Sequence, residues 1–184
     1  MLSLLWILSI ILVVIVVYVI YKYNRFIVLQ NRIDNAQGQI DVQLKRRFDL
    51  IPNLVSTVKG YAKHEKDTFK LVTEARNLMK GATGMGTKAE ANNMLTDALK
   101  SIFAVAEAYP DLKANQNFMQ LQEELTGTEN KISYSRQFYN DSVLKYNNGI
   151  EQFPGNIFAK IFSFIEKEMF EAKGAEKEPV KVEF

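Results

Sequence analysis

Residues 33–61 read IDNAQGQIDVQLKRRFDLIPNLVSTVKGY. Apolar side chains recur through this stretch at steps of three, four and seven: Ile33, Ile40, Leu44, Ile51, Leu54, Val58 and Tyr61. A half-buried strand needs alternation at every second residue. This spacing instead lines the apolar groups along one stripe of an α-helix, close to a heptad seam. Phe69, Val72 and Met79 extend the series, so the spacing predicts one long helix reaching about Lys80. Pro52 inside it removes a backbone donor and is expected to kink it. Gly38 and Gly60 weaken it locally or let another helix approach closely.

Towards the N-terminus no Gly-Pro break separates this helix from residues 2–21, LSLLWILSIILVVIVVYVIY, which carry no ionisable group apart from tyrosine. Twenty residues rising about 1.5 Å each match the roughly 30 Å hydrocarbon thickness of a bilayer. Residues 1–21 are therefore read as a transmembrane anchor. Leu2, Trp6, Val13, Tyr18 and Tyr21 mark its course, and its aromatics sit near both ends, where interfacial belts lie. A cleaved signal peptide would show a basic start, a shorter apolar core and a small-residue cleavage site, and none of these is present. No basic residue precedes the segment, whereas Lys22, Arg25 and Arg32 follow it. The positive-inside rule then predicts an N-terminus outside and the remaining chain in the cytoplasm, at the inner membrane.

Towards the C-terminus, GATGMGTK at 81–88 reads as a flexible interhelical loop. A second helix is predicted over about 89–109, with Leu95, Leu99, Ile102 and Ala106 on one face and Pro110 as its stop. A third is predicted over about 114–148, striped by Phe118, Leu121, Leu125, Ile132, Tyr139 and Tyr146. Phe153-Pro154-Gly155 makes a turn, an apolar helix follows over about 156–172, and residues 173–184 form a charged, loose tail. The fold expectation is all-α. An N-terminal transmembrane helix continues into an elongated antiparallel bundle of three long helices plus a short C-terminal helix, with residues 22–172 as one bundle domain.

The chemistry offered is sparse. There is no cysteine, which removes disulfides, thiolate metal sites and a cysteine nucleophile. His64 is the single histidine, and His64-Glu65 lacks the second histidine of a zinc-protease helix because Thr68 stands there. The glycine-rich loop matches neither phosphate-binding fingerprint. A formal net charge of +2 gives no reason to expect nucleic acid, and the aromatics and amides from Tyr134 to Asn148 read as interhelical packing and hydrogen bonding. Lys45-Arg46-Arg47 is the densest basic run. It lies about 36 Å beyond Tyr21 along a straight helix, too far for lipid attraction, so pairing with Asp41 and Asp49 is the expectation. Asp41, Asp49, Glu107 and Glu129 would bind a divalent cation only if folding brought them together, and pairing with Arg46, Arg47, Arg76, Lys113 and Lys131 is the favoured reading. No catalytic residue, cofactor or metal is expected. The apolar C-terminal helix, with Phe158, Phe162 and Ile165, is expected to dock on the bundle, on a neighbouring subunit or at a membrane interface.

The run from Gln39 to Val55, flanked by Asn35-Ala36 and continued by Val58-Lys59-Gly60-Tyr61-Ala62, Glu65 and Thr73-Glu74-Ala75-Arg76, resembles the central signature of the LemA family. Glu107-Ala108-Tyr109-Pro110-Asp111-Leu112-Lys113-Ala114-Asn115, Phe118, Leu121, Glu124-Leu125, Glu129-Asn130-Lys131-Ile132, Arg136, Tyr139-Asn140, Phe153-Pro154 and the ending Val182-Glu183-Phe184 carry the likeness onward. The resemblance implies a bacterial, single-span membrane protein with an extended helical bundle and no established enzymatic activity. It supplies no catalytic set. The matching positions Arg46, Arg47, Asp49, Pro52, Asn53, Glu107, Tyr109, Pro110, Glu129 and Asn130 are read as a helix-crossing polar network and loop closure. The functional expectation is a non-enzymatic, membrane-anchored scaffold or adaptor. It would contact the bilayer through residues 2–21, self-associate, and bind a membrane protein of unspecified identity. The alternatives are a membrane-organising protein and a regulatory subunit of a membrane enzyme such as a protease.

Overall fold

A computed structural model describes residues 2–171, and among these every regular element is an α-helix. In chain order they are α1 (Leu2–Tyr61), α2 (Lys66–Gly81), α3 (Met85–Glu107), α4 (Pro110–Lys113), α5 (Gln116–Glu151) and α6 (Gly155–Ile161). The fold is all-α, as the periodicity requires. The loose tail expected at 173–184 lies outside the described residues. The described residues fall into two compact units, 2–37 with Phe138–Glu168, and Gly38–Gln137 with 169–171.

In the second unit the stripe residues Ile51, Leu54 and Val58 of α1 are buried with Phe69, Val72 and Ala75 of α2. Leu95, Leu99 and Ile102 of α3, Leu112 of α4, and Phe118 and Leu125 of α5 complete that core. Each Val, Leu, Ile or Phe among them withdrawn from water stabilises the fold by about 1.5–3 kcal/mol. This shared core corrects the expectation of one helix to Lys80. In a straight helix Phe69 would stand about 16 Å from Val58, beyond contact. The chain instead leaves helical geometry at 62–65, just after Gly60, and α2 turns back. Lys59 Nζ then lies 5.3 Å from the centroid of the Phe69 ring, ten residues ahead of it. Pro52 does not end α1, which runs through it.

The glycine-rich stretch is also shorter as a loop than expected. Gly81 closes α2, and only 82–84 connect it to α3. Burial of Met85 and Ala89 draws the remainder into the helix, while the Thr87 hydroxyl accepts the Gly84 N–H at 3.0 Å. Pro110 stops the preceding helix as predicted but also opens α4 at its first position, where a missing N–H costs nothing. At the start of α5, Asn115 Oδ1 accepts the Phe118 N–H at 3.0 Å, an N-cap.

In the first unit, Leu4, Trp6 and their neighbours on α1 are exposed, and α1 is the one described helix long and apolar enough to cross a membrane. Further along, Phe26 is buried against Tyr146 and Phe164, with ring centroids 6.5 and 5.2 Å away. The expected C-terminal helix over 156–172 is corrected to the two turns of α6. Ser163 adopts φ 57°, a left-handed conformation that a continuing helix excludes. Side chains of α5 then take over backbone hydrogen bonding. Asn147 Nδ2 donates to the Lys167 carbonyl at 2.9 Å, and the Lys167 N–H donates to Asn147 Oδ1 at 3.0 Å. The Tyr139 hydroxyl donates to the Glu168 carbonyl at 2.8 Å.

Gly149 and Gly155 allow the backbone after α5 to return on itself beside Phe26. A Cβ on Gly155 would collide with the Gly149 carbonyl oxygen, whereas one on Gly127 would meet nothing within 4 Å. Gly155→Ala should therefore destabilise the protein by about 1–3 kcal/mol through overpacking. Gly127→Ala, inside α5, should be neutral or stabilising by up to about 1 kcal/mol. Melting curves of the two variants by circular dichroism check this, and equal melting temperatures would count against the close approach.

Candidate functional site

The stripe that builds α1 contains one misfit. Arg47 falls three residues after Leu44 and four before Ile51, so helical geometry carries it inward with them. Its side chain is 3 % exposed. Nη1 donates to Asn92 Oδ1 at 2.8 Å and Nη2 to Thr96 Oγ1 at 3.1 Å, both on α3. Nη1 also forms an ion pair with Glu129 Oε2 of α5 at 2.5 Å. That pairing is close rather than aligned, since Glu129 Oε2 and Arg47 Nε have no hydrogen-bond partner among the described residues. Burial pulls the guanidinium below its ordinary pKa, and the Glu129 carboxylate pulls it back up.

Around this centre the other charged positions divide. Arg46 Nη2 reaches Glu124 Oε2 at 3.5 Å, and Asp41 Oδ1 meets Lys88 Nζ of α3 at 2.6 Å. Lys45 takes only Asp49 of its two expected partners, at 3.1 Å, because Lys88 holds Asp41. Glu107 pairs with Lys113 across the α3–α4 turn. The Tyr109 hydroxyl donates to Glu65 Oε1 at 3.2 Å; burial, then this bond and the carboxylate's charge, push the phenol above its ordinary pKa. Pro52, Asn53 and Asn130 are exposed, and the Asn53 carbonyl accepts the Thr57 hydroxyl at 2.9 Å. The four carboxylates weighed for a divalent cation thus lie beside four different cations: Lys88, Lys45, Lys113 and Arg47. No group of three or more acidic or histidine side chains that could hold a metal occurs among the described residues.

Asn92 and Thr96 were not anticipated. A signal was present, because Asn92 lies three residues before Leu95 on the buried stripe of α3, where an amide needs a partner. Lys88, Glu65 and Asn115 carry no such signal, being polar residues at turns or helix starts.

In the unit containing α6, Phe158 lies tilted against Tyr18 with ring centroids 5.8 Å apart, and Phe162 meets Tyr23 edge-on at 5.0 Å. The apolar 157–165 segment therefore lies on α1 around the end of its charge-free stretch. Ile165 is 70 % exposed and Ile161 is exposed beside it. Tyr139 is buried at the base of this segment. Burial first, then the Glu168 and Asp34 carboxylates, push its pKa up to about 12.

A family model described as the LemA family matches residues 36–184. Magnetosome protein MamQ 2 of Paramagnetospirillum magneticum is 26% identical over 185 residues, covering 86% of this chain and 68% of that protein. Magnetosome protein MamQ of Magnetospirillum gryphiswaldense is 24% identical with the same coverage. Protein LemA of Metamycoplasma hominis is 26% identical over 149 residues, covering 80% of this chain and 68% of that protein.

Truncating Arg47 leaves the Asn92 side-chain oxygen without its donor and the Glu129 carboxylate without its counter-charge. Arg47→Ala should cost about 3–5 kcal/mol, the usual range for breaking a buried pair. Glu129→Gln should cost less, about 1–3 kcal/mol, because it removes the counter-charge but leaves the guanidinium bonded to Asn92 and Thr96. Thermal melts of the two variants would read the order, and a smaller loss for Arg47→Ala would refute its central position. Tyr139 gives a second measurable effect. Its folded pKa lies above its unfolded value, so its contribution is complete below about pH 10 and is lost as pH rises towards 12. Tyr139→Phe should flatten the fall in melting temperature across that interval, and an unchanged alkaline slope would assign the fall to another group.

Proposed function

The chain belongs to the LemA family, and from that premise we propose that it is a non-enzymatic, membrane-anchored helical scaffold that works through protein contacts and assembles with copies of itself. The observation that carries this reading is the division of labour among its side chains. The polar groups best suited to chemistry are engaged in holding helices, with Arg47 sealed between α1, α3 and α5. Large apolar side chains meanwhile stay exposed, along α1 through Leu4 and Trp6 and at Ile157, Ile161 and Ile165. An uncovered helix face this apolar calls for lipid or protein against it. On this reading α1 crosses the inner membrane once, with the following charged residues on the cytoplasmic side.

A second reading, membrane organisation, draws on the packing of 157–165 near Tyr18 and Tyr23, which brings more apolar surface to the same level of α1. Replacing Ile161 and Ile165 with Asn separates the two readings. A scaffold built on this face loses its cross-linked assemblies and leaves vesicle shape unchanged, whereas a membrane organiser loses vesicle deformation.

Two measurements test the leading reading. After an alkaline carbonate wash, the full chain should remain with the membrane pellet, and its release into the supernatant would remove the anchor. Because the chain has no cysteine, single cysteines at exposed positions such as Leu144 or Ile165 can report on neighbours without background. Disulfide cross-linking in intact membranes should yield dimers or larger products at one such position. Monomer at every position, with no partner retained on purification, would sink the scaffold.

A further inference from the structure

One cavity plays no part in the contacts described so far. It is an open hollow of about 720 Å³ between the part of α1 that follows Ile20 and the last turns of α5. Lys22, Arg25 and Arg32 enter it from α1, and Lys145 enters from α5. No carboxylate lines it, and among the described residues none of these four cations makes an ion pair with Asp or Glu. Lys22 lies over the Tyr18 ring at 5.6 Å and Arg25 donates to the Tyr21 hydroxyl at 3.3 Å, contacts that leave both positive charges uncompensated. The whole chain carries a net charge of only +2, so with four positive charges here the remainder is net negative by two. Asn148 and Gln152 add amide donors to the same wall, and Phe153, 81 % exposed, forms an apolar edge.

Position names the ligand's source. Lys22 is the first charged residue after the charge-free stretch, so the hollow begins where α1 would leave hydrocarbon. Arg32 stands roughly 15 Å further along the helix, a span that covers the headgroup layer and the water just beyond it. Basic residues after a membrane span are common for topological reasons alone. Those reasons do not bring Lys145, more than a hundred residues later in the chain, to the same concavity, nor do they exclude carboxylates from its wall. A concave basic site with amide donors and an apolar edge suits a phosphodiester that carries acyl chains.

We propose that this hollow binds the headgroup of an anionic phospholipid from the adjoining leaflet. The proposal rests on the reading that α1 crosses the membrane. It gives the protein a lipid preference in addition to an anchor. Phosphate oxygens would sit among Arg25, Arg32 and Lys145, and the acyl chains would leave past Phe153 towards the apolar part of α1.

The test uses the full chain in a neutral detergent. Melting temperature is followed against dihexanoyl phosphatidylglycerol, dihexanoyl phosphatidylcholine and inorganic phosphate as separate titrants. A ligand that binds only the folded state raises the melting temperature. Phosphatidylglycerol should raise it at lower concentration than either comparator. Removing one membrane-surface cation weakens such attraction roughly fivefold. Lys145→Gln should therefore shift the phosphatidylglycerol midpoint by about that factor, and Arg25→Gln with Arg32→Gln and Lys145→Gln by roughly a hundredfold. Removing three cations elsewhere, with Lys63→Gln, Lys66→Gln and Lys131→Gln, should leave the midpoint within about twofold. Equal responses to the two lipids would overturn the proposal, as would an unchanged midpoint in Lys145→Gln, which is exposed and needed for no core contact. Inorganic phosphate acting as well as phosphatidylglycerol would also overturn it, assigning the hollow to a free anion. The carbonate wash reads the anchor independently, so loss of membrane retention with the lipid preference intact would remove the anchor and leave the site.

Discussion

A guanidinium withdrawn from water has to be met by protein, and Arg47 shows how much structure that need organises. Its neighbours along α1, Leu44 and Ile51, are carried into the core by the hydrophobic effect, and Arg47 goes with them because it shares their face. Solvating the charge then requires Asn92 and Thr96 to arrive from α3 and Glu129 from α5. Apolar contacts alone tolerate a slip of one helix along another, since one leucine resembles the next. A single buried cation with two directional hydrogen bonds and one opposite charge beside it does not, and such groups serve as registry devices elsewhere. The core formed by α1, α2, α3, α4 and α5 can thus be read as a packed helical cluster whose axial alignment is set at one polar point.

The unit that includes α6 solves a different problem by related means. Beyond Ile161 the chain is apolar but not helical, so its peptide groups need partners that a helix would have supplied internally. Asn147 satisfies both the N–H and the carbonyl of Lys167, and Tyr139 satisfies the carbonyl of Glu168. Side chains on a rigid helix act there as a template for an irregular segment. Because its backbone is held this way, the segment can present Phe162 and Phe164 to Tyr23 while Ile161 and Ile165 stay uncovered. The surfaces left are apolar on one side and cationic in the adjacent hollow.

Much of this was legible from residue spacing, and the failures have specific causes. The helical stripes, the apolar start of α1 and the stop at Pro110 follow from local periodicity and from proline's missing donor. The corner at 62–65 was hidden because the apolar period continues almost in phase from Tyr61 to Phe69, so a turn and a straight helix give the same pattern. Three glycines in GATGMGTK suggested a longer loop, but burial of Met85 and Ala89 outweighed their propensity and drew α3 back to Met85. The segment after Ile161 is as apolar as a helix face, and nothing local announces that Asn147, some twenty residues earlier, will claim its backbone.

Among the polar residues the same division holds. Arg47 and Glu129 are legible as members of a helix-crossing polar network but not as a pair, and the three- and four-residue spacing of Arg47 to Leu44 and Ile51 sets it apart from Lys45 and Arg46. Lys88 drawing Asp41 away from Lys45, and Lys145 joining the cations of α1, depend on distances between elements far apart in the chain. Local pattern suffices for the all-α class and the faces that must be buried, which follow from side chains repeating at the helical period, and for the membrane-length stretch, which follows from its unbroken apolar composition. Where α1 ends, which polar groups receive the Arg47 charge and where uncompensated cations collect emerge only from packing. Those outcomes rest on contacts between segments whose proximity no local periodicity encodes.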